Sequence, residues 1–136
     1  MVKKIFFSII CFFILSLISF AGEFNVIDKA EDACINKAVS TTDMLNCTAT
    51  AYDAWDKEMN KYYNLLMQKL SAEQKSALLK TQKSWLAYRD NSFTFINDSI
   101  KEKQGTMYLN VASGERRAIV KQRALQLKEY YQIISE

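Results

Sequence analysis

The sequence predicts an all-α domain: a long antiparallel helical hairpin, with a disulfide-stapled short N-terminal helix and a C-terminal helix packed across it. Three observations carry that prediction. The chain has no proline and only three glycines, so little in it interrupts a helix. Cys47, Ala51, Trp55, Met59, Tyr62, Leu66 and Leu70 recur at steps of four or three, an apolar stripe sustained over many turns. Ser71, Ala72, Glu73 and Gln74 have the form of a capping box, which ends one helix and starts the next without needing glycine or proline.

The first residues read as a targeting segment. Lys3 and Lys4 precede an apolar run from Ile5 to Phe20, and Ser19, Phe20 and Ala21 offer small residues where a signal peptidase reads. The expectation is a signal peptide over residues 1–21 and a helical domain over 22–136, periplasmic or secreted. Retention as a membrane anchor is the alternative, since about 17 apolar residues can just span a bilayer. The serines interrupting the run and the lack of flanking charge after it argue for cleavage, and hence against stable membrane insertion. Cys11 lies between Ile10 and bulky Phe12, a poor lipid-attachment site, so no lipoprotein is predicted.

The elements follow in order. Asn25 to Val39 reads as a short helix carrying Cys34, ended by the polar turn Ser40-Thr41-Thr42. Asp43 or one of the threonines can then cap the long helix, which at about 28 residues would be roughly 42 Å long. After the capping box, a second long helix would turn Leu78, Leu79, Gln82, Trp85, Leu86, Arg89 and Phe93 inward and run to about Phe95 or Ile96. Residues 97–114 lack clear helical periodicity and hold both remaining glycines, so they read as a long loop, a place where function is often carried. Glu115 to Ile134 is the last helix, with Ile119, Arg123, Leu127, Tyr130 and Ile134 on one face.

Past the signal segment only Cys34 and Cys47 remain, an even pair in an exported chain, and they read as one disulfide. The alternative, a metal site, lacks ligands, because the chain has no histidine. No cofactor is expected.

Without Lys3 and Lys4 the formal charge is about +1, too small a field to select nucleic acid or a membrane. Its distribution is uneven: residues 22–60 hold eight acids and three bases, and residues 61–136 hold seven acids and thirteen bases. The two halves can simply pair or be solvated separately; the functional reading is an acidic surface offered to a basic partner. Its contacts would be Asp43, Asp53, Asp56 and Glu58, or Lys103 to Tyr108 in the long loop. Catalysis finds no support. There is no histidine, no activated serine or cysteine motif, no glycine-rich phosphate loop and no carboxylate pair placed to hold a substrate.

Gln82, Trp85 and Arg89 share one helical face. A buried arginine needs its five donors met, and Asp90 is adjacent rather than one turn away, so the expected partner is Asp53 or Asp56, beside Trp55 on the other arm of the hairpin. Such a pair would set the register of two helices otherwise free to slide. The structural network read from the sequence is Trp55, Asp56, Gln82, Trp85, Arg89, Asp90 and Arg123.

The same residues carry a family resemblance. The chain resembles small exported bacterial proteins related to the N-terminal domain of LprI, a lipoprotein lysozyme inhibitor. The resemblance runs through Cys34; Thr42, Met44 and Cys47; Trp55, Asp56, Asn60 and Tyr63; Gln82, Lys83, Trp85, Arg89 and Asp90; and Gln122, Arg123 and Leu127. Two positions where members commonly carry a further cysteine pair are Phe93 and a site near Glu115 here, which implies a loop at 97–114 less tethered than in relatives. A threonine often found three residues before the terminal arginine is Val120. The resemblance implies a non-enzymatic protein that binds a lysozyme or another cell-wall hydrolase; the alternative is an envelope structural or assembly protein whose partner is another envelope component. Family membership does not by itself transfer an activity.

Overall fold

The computed structural model describes residues 25–136. The expected signal segment, and the start of the expected domain at 22, lie outside the described residues. Among the described residues four helices follow one another: α1 (Asn25–Ile35), α2 (Thr41–Lys69), α3 (Ala72–Lys101) and α4 (Met107–Ser135). The all-α class, the long hairpin and the disulfide staple are as the sequence predicts.

Helix α1 stops at Ile35 rather than at Val39, and the chain turns through Asn36 N–H to Asp32 C=O and Lys37 N–H to Cys34 C=O bonds. Ser40, not Asp43 or a threonine, caps α2: its backbone is extended and its hydroxyl accepts from the Asp43 N–H at 3.1 Å. Asp43 still takes part, because its carboxylate accepts from the Ser40 hydroxyl at 2.7 Å and from the Val39 N–H at 3.3 Å. The α2–α3 break is the expected box, with Ser71 accepting from Gln74 N–H at 3.3 Å and Gln74 Oε1 accepting from Ser71 N–H at 2.9 Å.

The long loop expected at 97–114 is not there. Helix α3 continues to Lys101 and α4 begins at Met107, leaving a connection over 102–106 in which Gly105 takes φ +103°. That left-handed conformation suits glycine because it has no Cβ. The segment hid its helicity because Met107, Leu109 and Val111 stay exposed and only small Ala112 is buried. No apolar stripe of large residues marks it.

Helix directions follow from pairwise contacts. Tyr52 rests against Phe93 with ring centroids 6.2 Å apart, and Gln82 Nε2 reaches Met59 Sδ at 3.8 Å, so α3 runs antiparallel to α2. Thr41 meets Thr106 at 3.2 Å, Asn110 reaches Met44 Sδ at 3.5 Å, Lys121 Nζ lies 5.4 Å over the Trp55 ring, and Lys128 Nζ lies 5.9 Å over Tyr62. The paired numbers rise together, so α4 lies parallel to α2. These two form the closest helix pair, while the backbones of α2 and α3 stand further apart.

The core has Trp55, Leu66, Val120 and Leu127 fully enclosed, with Met59, Tyr62, Leu78 and Ala124 around them. Burying a large apolar side chain is worth about 1.5–3 kcal/mol, so the α2–α4 seam is the main source of stability. On α4 the buried face is turned by about one residue from the predicted one: Arg123 and Leu127 are inside, but Val120 and Ala124 replace Ile119, which is half-buried, and Tyr130 and Ile134 are exposed. On α3, Leu78 and Gln82 are buried, Trp85, Leu86, Arg89 and Phe93 are half-buried, and Leu79 is exposed.

Candidate functional site

Cys34, exposed at the end of α1, is bonded to buried Cys47 in the second turn of α2, with Cα atoms 5.7 Å apart. Helix α1 is also held to α4 by two ion pairs, Lys121 Nζ to Asp28 at 2.5 Å and Arg117 Nε to Glu31 at 3.1 Å. The sequence reading missed this clamp. Its signal was present, because two acids three apart on one helix match two bases four apart on another.

The buried arginine is Arg123, and its acceptor is Gln82. Nε and Nη2 of Arg123 both donate to Gln82 Oε1, at 3.0 and 2.9 Å, while Nη1 donates to Gln126 Oε1 at 2.5 Å. Burial disfavours the charged guanidinium and pushes its pKa down from the ordinary value, with Tyr130 acting the other way. Trp85 lies between two cations: the Arg123 guanidinium carbon is 5.9 Å from its ring centroid and that of Arg89 is 5.6 Å away.

Arg89 does not pair with Asp53 or Asp56. Its Nε and Nη2 donate to Asp90 Oδ1 at 2.9 and 2.7 Å. The half-buried side chain turns along its own helix, where Phe93 offers a second ring face at 5.9 Å. The long side chain can therefore reach the adjacent carboxylate, and no cross-helix partner is needed. The Tyr52 phenol close by has its pKa raised, chiefly by burial; Arg89 opposes the shift, and Asp56, Asp53 and Asp90 add to it.

The expected partner-binding residues fall at two places. The start of α2 and the α3–α4 connection share one end of the bundle, as the Thr41 to Thr106 contact shows. That end carries Asp43, exposed Lys103 and half-buried Tyr108. Hydrogen bonds from the Ser40 hydroxyl and Val39 N–H hold the Asp43 carboxyl below the usual carboxylate range. Asp53 is exposed further along α2, and Glu58 pairs with Lys61 at 3.3 Å. Ten residues separate Asp43 from Asp53, about 15 Å along the helix, and the five from Asp53 to Glu58 turn the helix by about 140°, so these acids are spread along and around α2 rather than clustered.

Asp56 accepts from Asn60 Nδ2 at 3.0 Å and faces a groove of about 460 Å³ between α2 and α3. Tyr63 and Asn60 share its α2 wall, Lys83, Leu86 and Arg89 line the α3 wall, and Met59 and Gln82 form its base. Among the described residues no group of three or more metal-ligating side chains comes together, and no helix is long and apolar enough to cross a membrane.

Residues 34–127 match the family described as Lysozyme inhibitor LprI. An uncharacterized protein of Rhizobium meliloti is 30% identical over 106 residues, 68% of this chain and 75% of that protein. A crystal structure of an uncharacterized protein from Burkholderia thailandensis superposes with a TM-score of 0.75 at 26% identity, covering 80% of this chain and 55% of that one. The chain thus spans about half the length of the Burkholderia protein. With its disulfide at the start of the match and Gln82, Arg123 and Leu127 inside it, the chain belongs to the LprI family.

Proposed function

We propose that this protein is an exported, non-enzymatic member of the LprI family that acts by binding a basic protein, a lysozyme or another cell-wall hydrolase, in the periplasm or outside the cell. The observation that carries this reading is the family match over residues 34–127. Two features of the surface support it. Neither Asp53 nor Asp56 forms an ion pair among the described residues, so both carboxylates of α2 remain available to a cationic partner. Asp43 shares one end of the bundle with Lys103 and Tyr108, as the Thr41 to Thr106 contact places them, and an approaching protein can meet all three there. Opposite charge across an interface speeds association and selects the partner, and its effect weakens with salt.

The test is titration of the oxidised protein against purified animal and bacterial lysozymes, following peptidoglycan hydrolysis at low and physiological salt. The expected result is stoichiometric inhibition that persists at physiological salt and weakens in Asp53→Lys. Absence of inhibition at micromolar excess would reject the lysozyme reading and turn the search to a component of the envelope itself.

A further inference from the structure

We propose that the groove between α2 and α3 is a docking site for an extended segment of a partner protein, one that carries a basic and an acidic side chain two residues apart. The inference is independent of whether that partner is a lysozyme.

The groove exists because α2 and α3 keep their backbones apart while α4 packs against both of them. Its base is fixed: Met59 and Gln82 are buried, and Gln82 Oε1 is held by Arg123. Its walls are chemically unequal. On α2, Asp56 accepts from neutral Asn60 and has no cation paired to it among the described residues. On α3, Lys83 is exposed and makes no hydrogen bond or ion pair among the described residues. Arg89 also lines the α3 wall, but Asp90 offsets its charge and the side chain lies along Trp85 and Phe93. One negative and one positive group are therefore left facing the groove without compensation.

Their spacing identifies the occupant. The antiparallel register set by the Met59–Gln82 and Tyr52–Phe93 contacts brings Lys83 level with Asn60. Asp56 is one turn from Asn60, so the two charges lie about 6 Å apart along the groove. In an extended chain, side chains two residues apart point the same way at a spacing of about 7 Å. A segment with a basic residue over Asp56 and an acidic residue over Lys83 meets both. Two residues further on, an apolar side chain reaches Tyr63 and Leu79, which line the far end. The volume of about 460 Å³ lies within the range of sites that hold compact ligands.

The probe is a fluorescein-labelled peptide of sequence Lys-Ala-Glu-Ala-Leu with an amidated C-terminus, followed by anisotropy with the whole oxidised protein. Saturable binding at submillimolar concentration is expected, at least tenfold tighter than for the Lys-Ala-Lys-Ala-Leu and Glu-Ala-Glu-Ala-Leu versions. Lys83→Glu should reverse the order and favour Lys-Ala-Lys-Ala-Leu, with an unchanged circular dichroism spectrum because Lys83 is exposed. Equal binding of the three peptides, or none up to 1 mM peptide, would overturn the proposal. So would tighter binding of a cell-wall stem tetrapeptide, or sedimentation as a dimer that Lys83→Glu dissociates, which would assign the groove to another occupant.

Discussion

Arg123 on α4 places two of its donors on one oxygen of Gln82 on α3, and both side chains are buried. This bond joins the helix pair α2–α4 to the third helix, at the level where Gln82 also touches Met59 of α2. Truncating Gln82 to Ala leaves a buried guanidinium short of its acceptor, and a loss of about 2 kcal/mol is expected. Arg123→Ala should cost about 2–4 kcal/mol through lost packing and an unpaired glutamine. The double variant should show a coupling of about 1–3 kcal/mol in urea unfolding. Strict additivity would mean that the two side chains do not depend on each other.

Arg89 gives the opposite expectation. Its carboxylate partner is the adjacent, exposed Asp90, and its contacts with Trp85 and Phe93 lie on its own helix. Arg89→Ala should therefore cost about 1 kcal/mol, mostly stacking and stem packing, and Asp90→Ala less than about 0.5 kcal/mol. A loss of several kcal/mol for Arg89→Ala in thermal or chemical unfolding would restore the cross-helix pairing that the sequence suggested.

The disulfide closes a loop between α1 and α2 over a sequence separation of 13. Intact protein should weigh two hydrogens less than its reduced form by mass spectrometry. Replacing both cysteines with serine should lower stability by about 3 kcal/mol. Helix α1 should lose amide protection before the rest, since it would then be held by its packing on α2 and the two ion pairs to α4. Uniform loss of protection would instead make α1 part of one cooperative unit with the bundle.

Those ion pairs are unequal. Glu31 is buried, whereas Asp28 and Lys121 are both about a third exposed. Arg117→Ala strands the Glu31 carboxylate and should cost about 2 kcal/mol, discounted from the fully buried case because Arg117 is partly exposed. Asp28→Asn should cost under 1 kcal/mol and depend on salt. Equal costs for the two variants in matched melts would contradict this ranking.

Asp43 gives a pH signature with a definite sign. Its folded pKa is depressed by the Ser40 hydroxyl and the Val39 N–H, so its contribution is present above the ordinary carboxylate value and is lost as pH falls through the lower folded value. Asp43→Asn should lower the melting temperature at neutral pH, and the difference from the parent protein should close in the acid range, below about pH 4. A difference that stays constant down to pH 2 would point to backbone geometry rather than charge.

The sequence by itself determined the helical class, the staple and the hairpin. Each is written in local chemistry: a seven-residue apolar stripe from Cys47 to Leu70, a serine and a glutamine three apart, and one remaining cysteine pair. Tertiary structure decided the rest. Helix α4 extends back to Met107 because Asn110 and Ala112 lie along α2, contacts too small or polar to leave a periodic apolar signal. Its parallel course beside α2 brings Lys121 over Trp55 and rotates Val120 and Ala124 into the core. The choice of Arg123 over Arg89 as the buried arginine turned on the same placement. Both residues share a helical face with apolar neighbours, and only the position of a third helix selects which of them is enclosed. The groove is a consequence of that choice too, since α4 packs against both α2 and α3 and leaves Asp56 and Lys83 facing the channel between them.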